Sequence, residues 1–229
     1  MSKPTQQDLT VDVNAYQKDG YVMARGLFSQ EEALRIKDAC KAAVESRSET
    51  GSGVHVFQGT GLNDILKQTV CDARLVRVIE KLYQSRVEFL SVKPVYKSAA
   101  LGFASPWHQD WQYWKGVPKL SVWIALDPAT VANGCLKIIP GSHLKSWAHD
   151  TSDDDKGFGN RISEDALADE TVIDAVMEAG DALFFHDLLL HASHPNESGN
   201  DRWSMIPTYR DACVPDPESA AVWSEPVQL

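Results

Sequence analysis

The sequence predicts a mainly β protein with flanking α-helices. The first third of the chain carries helical periodicity, whereas short apolar runs separated by Gly, Pro, Asn and Asp follow from residue 87 to about residue 210. Runs of this kind are typical of an antiparallel β-barrel or sandwich. A chain of 229 residues fits one domain. We expect residues 1–229 to form that domain, with 1–86 as a mainly helical buttress and 87–212 as the barrel core.

The helical signals lie in two segments. Ser29 and Glu32 have the spacing of a capping box at the start of "FSQEEALRIKDACKAAVES". The segment "DARLVRVIEKLYQS" follows later, and "YVMARGLF" ahead of both predicts a short strand and turn. Apolar residues at helical spacing predict two buried stripes: Leu34, Ile36, Ala39, Cys40, Ala43 and Val44 in the first helix, and Leu75, Val78, Ile79 and Leu82 in the second.

Five apolar runs predict the strands of the barrel. They read "VEFLSVKPVYK", "KLSVWIALDPAT", "GCLKIIPGS", "DALFFHDLLLHAS" and "RWSMIPTYR". The acidic, Gly-containing segment 149–160, "HDTSDDDKGFGN", is predicted to be an exposed loop. The alternative is a mobile lid over a functional site.

Composition narrows the class of protein. The net charge of −10 argues against a nucleic-acid or anionic-membrane surface, since both need a basic face. The N-terminus lacks the apolar core of a signal peptide, and no run is long enough to span a membrane. Four widely separated cysteines indicate reduced thiols rather than disulfides or a zinc site: Cys40, Cys71, Cys135 and Cys213. We therefore expect a cytoplasmic protein with a small-molecule substrate, and the sequence predicts no oligomeric state.

The segment "SPWHQDWQYW" offers the first metal candidate. If it forms a strand, His108 and Asp110 project to the same face. An imidazole and a carboxylate are two of the three ligands in the 2-His-1-carboxylate triad of non-haem Fe(II) oxygenases, which leaves three metal positions open. A His-x-Asp pair is common by chance, and an exposed pair between aromatic residues is the alternative.

The third ligand should come from a later strand, and "GDALFFHDLLLHASHPN" offers three histidines. His191 fits best, because an apolar run leads into it and strand alternation would turn Ser193 inward with it. His186 is the competitor, although a turn follows it directly. His194, before Pro195, reads as a surface or turn residue.

The flanking residues suggest how organic ligands would bind. A return strand beginning at Arg202 would bring a guanidinium to the barrel mouth, where its planar fork suits the distal carboxylate of a dicarboxylate. Lys93 and Lys97 share one face of a strand and are candidates for an anionic group, unless that face meets solvent. Trp107 and Trp111 flank the His-x-Asp pair and either line a substrate pocket or pack in the core.

Together, "WHQD", "LSVWIALDPATVANGCLKIIPGSH" and "GDALFFHDLLLHASHPNESGNDRWSMIPTYRDA" resemble the phytanoyl-CoA dioxygenase (PhyH) family, as does "DGYVMARGLFSQEEA" near the start. The resemblance implies a double-stranded β-helix (a jelly-roll, cupin-like barrel). It also implies an Fe(II)-dependent oxygenase that uses 2-oxoglutarate and O2, hydroxylates a small molecule and releases succinate and CO2. The residues it implies are His108, Asp110 and His191 for the metal, and Arg202, Ser193 and Trp123 for 2-oxoglutarate.

Two other functions remain open at this point. A cupin-like lyase or isomerase would bind a metal without 2-oxoglutarate and would not need Arg202. A non-catalytic barrel would bind a small ligand only. The carboxylate at Asp110 argues against halogenation, which usually needs that metal position free for chloride.

Overall fold

The computed structural model describes residues 11–47, 53–58, 61–100, 103–151, 159–217 and 226–229. Within these ranges the α-helices are α1 (Val13–Asp19), α2 (Gln30–Ser46), α3 (Asp64–Val70), α4 (Ala73–Tyr83) and α5 (Trp111–Trp114). Short 3-10 turns occur at Val131–Asn133, Ser142–Leu144 and Glu164–Leu167. In this part of the chain, no helix combines the length and the apolar character that crossing a bilayer requires.

The strands are all antiparallel and form two principal sheets. The large sheet runs in the order β1-β10-β5-β12-β4-β13, with β2 and β3 also paired to β4, and the small sheet runs β11-β6-β9. A separate pair joins β7 and β8. The strands are β1 (Tyr21–Ala24), β2 (Gly53–Val54), β3 (Phe57–Gln58), β4 (Val87–Lys97), β5 (Lys119–Ala125), β6 (Leu136–Ile138), β7 (Asp150–Thr151), β8 (Asn160–Arg161), β9 (Ile173–Ala175), β10 (Ala182–His186), β11 (His191–Ser193), β12 (Arg202–Asp211) and β13 (Val227–Gln228).

Strand alternation gives the large sheet two different apolar faces. On β5, Val122 and Ile124 pack with the core beneath the helices, whereas Trp123 turns to the other side. On β10, Phe184 packs with the core beneath the helices and Leu183 lies on the other face. Because the second face packs with residues of the small sheet, the two sheets enclose a second core between them. This arrangement is the predicted β fold with helices on one side, so the predicted fold class is confirmed.

The two predicted helices are confirmed with small changes of detail. Ser29 caps α2, and the reciprocal bonds of the capping box to and from Glu32 are both present. All four predicted stripe residues of α4 are buried. The prediction for Leu34 is wrong, since it is 55% exposed and Ala33 takes its place on the buried stripe. Residues 33, 36, 40 and 44 are three or four apart, and Leu34 lies off that line.

The predicted strands correspond to β4, β5, β6, β10, β11 and β12. The run "DALFFHDLLLHAS" is split, because a turn after His186 moves the chain from the large sheet to the small one. The first 86 residues also contribute strands, since β1 pairs with β10. Of the predicted loop or lid at 149–160, residues 152–158 lie outside the described part of the chain.

Gly180 generates a stability prediction. Its φ is +94°, and a Cβ there would lie 2.0 Å from the carbonyl oxygen of Phe28. We expect Gly180→Ala to lower the free energy of unfolding by more than about 3 kcal/mol, because backbone strain of about 1–2 kcal/mol adds to a clash with main chain. Gly199→Ala is the matched control, with φ +75° and no atom of the described residues within 4 Å of the added Cβ. Urea denaturation of both variants measures the difference, and equal losses would contradict the clash.

Candidate metal centre

A pair of backbone hydrogen bonds joins the two segments that carry the predicted metal ligands. The N–H of His108 donates to the carbonyl oxygen of His191 at 3.1 Å, and the N–H of His191 donates back to His108 at 3.2 Å. This antiparallel bridge lies between β11 and the segment before α5. The two imidazole ring centroids are consequently only 4.2 Å apart.

Asp110 completes the cluster from a different local structure than predicted. It does not lie on a strand but has helical φ and ψ at the start of α5. The N–H of Trp111 donates to the carbonyl oxygen of Asp187, which anchors this turn. The carboxylate oxygen Oδ1 of Asp110 lies 3.5 Å from Nε2 of His108 and 3.7 Å from Nε2 of His191. A metal with bonds of about 2.1 Å at right angles needs neighbouring ligand atoms about 3 Å apart, so a small contraction would suffice.

Hydrogen bonds on the far side of both imidazoles select Nε2 as the ligand atom. Nδ1 of His108 lies 2.8 Å from the carbonyl oxygen of Pro106, and Nδ1 of His191 lies 3.0 Å from that of Leu189. A carbonyl oxygen only accepts, so both Nδ1 atoms carry the proton, and both Nε2 atoms, which face Oδ1 of Asp110, would present a lone pair to a metal. Burial, followed by the neighbouring His108, lowers the pKa of His191 to about 4.

The Asp110 carboxylate is buried yet held in its charged form. Burial alone would raise its pKa, but the ammonium of Lys93 and the two histidines outweigh burial, and the pKa lies below its usual value. Lys93 donates to Thr208 Oγ1 at 3.2 Å, which lies 3.2 Å from Ser121 Oγ. Ser121 in turn donates to Oδ2 of Asp110 at 3.4 Å. A polar chain thus connects the part-buried ammonium of Lys93 to the carboxylate.

Two cations lie at another wall of the same cavity. Arg202 begins β12 and pairs in register with Lys97 at the end of β4. Because β12 lies between β5 and β4 in the large sheet, Arg202 reaches the cavity from the sheet opposite the one that carries His191. Lys97, Arg202, Ser193 and Trp123 all line the cavity that also contains the three metal-ligand candidates.

The hydrogen bonds of this wall leave capacity for an anion. Arg202 donates to Ser204 Oγ at 2.8 Å and to the carbonyl oxygen of Gly134 at 3.1 Å, but its buried Nε has no partner among the described residues. Burial lowers the pKa of Arg202 to about 10, which leaves it charged at neutral pH. Lys97 donates to Ser193 Oγ at 2.8 Å and to the carbonyl oxygen of His194. Two buried cations with one orphan donor fit a carboxylate.

Lys97 and Lys93 both face inward. Lys97 is only 1% exposed, and burial, followed by the charge of Arg202, lowers its pKa to about 7. The alternative that this strand face meets solvent is therefore wrong for Lys97. Lys93 is part-buried, with its ammonium 5.0 Å from the centroid of the Trp114 ring.

Gln109, between the two ligand candidates, is a supporting residue that sequence reasoning missed. Its buried amide donates to the carbonyl oxygens of Leu188 at 2.6 Å and Lys145 at 3.0 Å, and accepts from the N–H of Trp147 at 3.0 Å. Its backbone N–H donates to Nε2 of His149 at 3.1 Å. The amide thus ties residue 109 to two other segments, at residues 145–147 and at residue 188. No local sequence pattern indicates this role, because its partners lie far along the chain.

The other predicted residues lie elsewhere. His186 is at the end of β10, with its ring 5.4 Å from that of His143, and belongs to no ligand cluster in the described part of the chain. Trp107 packs in a core cluster with Ile139 and Leu190. Trp111 donates to the carbonyl oxygen of Gly116. Neither tryptophan lines the described cavity.

Comparison with known proteins gives relatives of one chemical class. An "Ectoine dioxygenase" of Bordetella parapertussis is 26% identical over 226 residues, covering 86% of this chain and 73% of that protein. An "L-proline trans-4-hydroxylase" of Streptomyces griseoviridis is 26% identical over 223 residues, covering 85% and 83%. The crystal structure of the epimerase SnoN with Fe3+, alpha ketoglutarate and nogalamycin RO shares the fold, with TM-score 0.73, 21% identity and coverage of 94% and 93%.

The fold and these relatives define the class as the Fe(II)/2-oxoglutarate-dependent oxygenases, enzymes that use O2 and act on small molecules. More particularly, the model of the phytanoyl-CoA dioxygenase (PhyH) family matches residues 16–204, and the chain belongs to that family.

The Gln109 amide provides a prediction on the stability of the centre. Gln109→Glu replaces a donor by a carboxylate oxygen that faces two carbonyl oxygens. We expect the free energy of unfolding to fall by about 3 kcal/mol, because one oxygen of a buried charge faces two carbonyl oxygens that cannot donate to it. Gln68→Glu, the same change at an exposed position of α3, should change it by less than about 0.5 kcal/mol. Urea denaturation at neutral pH tests this, and similar values for both variants would contradict it.

Proposed function

We propose that this protein hydroxylates a small molecule at an Fe(II) ion held by His108, Asp110 and His191. The observation that carries the proposal is the convergence of three ligand atoms within 4.8 Å of one another, in a cavity whose wall includes Arg202. Two neutral imidazoles and one carboxylate would occupy one face of an octahedral ion and leave three positions for co-substrate and oxygen.

Residues at the two ends of the cavity would orient the co-substrate, with basic side chains at one end and the metal ligands at the other. Arg202 and Lys97 would pair with the distal carboxylate of 2-oxoglutarate, and the hydroxyl of Ser193, 2.8 Å from the Lys97 ammonium, would donate to the same group. The ring of Trp123, whose centroid is 5.1 Å from the Arg202 guanidinium carbon, would restrict where that guanidinium can move. The keto-acid end would then point toward the metal ligands.

Side chains of the protein would orient the reacting groups and set their ionisation. Bound iron would supply O2 activation coupled to oxidative decarboxylation of 2-oxoglutarate to succinate and CO2. Lys93, through Thr208 and Ser121, would keep Asp110 ionised and oriented, so we assign it a positioning role in place of the predicted substrate contact. Asp110 occupies the metal position that halogenation would need free, which favours hydroxylation.

The remaining lining suits a small organic substrate. Apart from the polar residues already described, the cavity is lined by Val54, Val95, Phe103, Leu136, Phe185 and Ile206, with Ser105 as a hydroxyl donor. Apolar walls of this kind would exclude bulk water from the reaction. A freely diffusing small molecule, rather than nucleic acid or a membrane, and a cytoplasmic location are inferred from sequence.

Iron binding distinguishes His191 from its competitor. We expect His191→Ala to lose stoichiometric Fe(II) binding and 2-oxoglutarate turnover, since one of three ligand atoms is removed. His186→Ala should keep both, because His186 lies on the helix side of β10. Metal content after anaerobic reconstitution and succinate release give the two readouts. Iron retained by His191→Ala and lost by His186→Ala would reverse the assignment.

Arg202 provides a test of the co-substrate. Arg202→Leu should weaken binding of 2-oxoglutarate to the anaerobic Fe(II) protein by about 30- to 100-fold, as expected for a lost charge-assisted pair of about 2–3 kcal/mol. Calorimetric titration measures this without a substrate.

Arg210→Leu is the control on the same strand, because Arg210 pairs with Glu88 and Asp216 at the other end of β12. It should bind 2-oxoglutarate as the unaltered protein does. An unchanged affinity in Arg202→Leu would point to a metal enzyme that does not use 2-oxoglutarate.

A further inference from the structure

A second group of metal-ligand side chains lies in the small sheet. Cys135 immediately precedes β6, Asp174 lies in β9 and His194 immediately follows β11. One ligand atom from each of these residues lies within 4.8 Å of the other two. None of the three belongs to the proposed iron site, and none lines the cavity.

Strand register holds these three side chains together. Leu136 pairs with Ser193 on one side and with Ala175 on the other. The N–H of His194 donates to the carbonyl oxygen of Cys135 at 3.0 Å, which fixes the ends of β6 and β11 opposite each other. Nε2 of His194 lies 2.7 Å from Oδ1 of Asp174. The backbone thus preorganises a thiol, an imidazole and a carboxylate before any ion binds.

The partial exposure of two of the three side chains is compatible with a metal site that solvent can reach. The side chain of His194 is 24% exposed and that of Asp174 is 42% exposed, so an ion can reach them from solvent. Cys135 is buried, which protects the thiol from bulk oxidants. A thiolate and a carboxylate would balance the charge of a divalent ion, and one position would remain for water.

The donor set differs from that of the iron site and favours another metal. Sulfur, nitrogen and carboxylate oxygen are the three donor types that zinc accepts in tetrahedral sites, at about 2.0–2.3 Å. Tetrahedral bonds of that length place ligand atoms about 3.3–3.8 Å apart. The cluster therefore needs a shift of about 1 Å at most, within reach of side-chain rotation.

We propose that Cys135, Asp174 and His194 form a second metal site, in the small sheet, that binds Zn(II). Zinc there would tie β6, β9 and β11 together and stabilise the sheet that carries His191. The site has no CxxC spacing, because its ligands come from three strands rather than from one loop.

Cobalt(II) tests the site directly, because it takes zinc positions and shows an intense near-ultraviolet charge-transfer band only when a thiolate is bound. We expect metal-free protein to bind two equivalents of Co(II), one of them with this band. A stoichiometric addition of Zn(II) should remove the band. His191→Ala should lose the equivalent without the band and keep the one with it, which separates this site from the proposed iron site.

Substitution of each proposed ligand tests which side chains bind the metal at this second site. Cys135→Ser should abolish the band, and Asp174→Asn and His194→Gln should each weaken Co(II) binding at this site by about 100-fold, at least as much as the loss of an outer-shell partner. Asp174 is exposed, so Asp174→Asn remains informative even if Cys135→Ser folds poorly. Cys71→Ser and Cys213→Ser, at exposed cysteines, are the matched controls and should leave the band unchanged.

Three results would overturn the proposal. They are a wild-type titration without a thiolate band, a band that persists in Cys135→Ser, and an unchanged Co(II) affinity in both Asp174→Asn and His194→Gln.

Discussion

The backbone bridge between His108 and His191 is the constraint on which the candidate centre depends. Two hydrogen bonds of 3.1 and 3.2 Å place side by side two residues that are far apart in sequence. The bridge sets the separation of the rings in the fold itself, so a metal would meet a preformed pair and only a small adjustment would remain.

The second constraint is electrostatic, because the interior holds several charged groups. Asp110, Lys93, Lys97 and Arg202 all lie inside, where an unpaired charge is costly. They form two pairs: the charges of one pair have opposite sign, and those of the other have the same sign. Lys93 compensates Asp110 through a short polar chain, whereas Lys97 and Arg202 face each other across neighbouring strands and repel. An anion would relieve this repulsion and keep Lys97 protonated, and this asymmetry distinguishes the proposed co-substrate end from the metal end.

Sequence reasoning reached the fold class from the short apolar runs, whereas the resemblance to the PhyH family implied the converging residues, and strand alternation supported the inward residues of two strands. Parity along "LLLHAS" turned His191 and Ser193 inward, and parity along "SVKPVYK" placed Lys93 and Lys97 on one face. It failed where the surroundings of a residue come from segments that are distant in the sequence. Asp110 lies in a turn held by Asp187, Arg202 arrives from the opposite sheet, and Gln109 is buried by segments that come from elsewhere. These features depend on tertiary contacts between distant segments, and no local pattern encodes them.

The histidines of "HDLLLHASH" show how one short segment can serve three environments. A turn after His186 ends β10 and leaves that ring on the helix side of the large sheet. The chain then enters the small sheet, where residues 191 and 194 differ by an odd number and so face opposite sides. One faces the cavity and the other faces solvent beside a thiol and a carboxylate. Since a strand of three residues has only two faces, the same backbone that fixes the inner ligand also fixes the outer one, and neither can shift register without displacing the other.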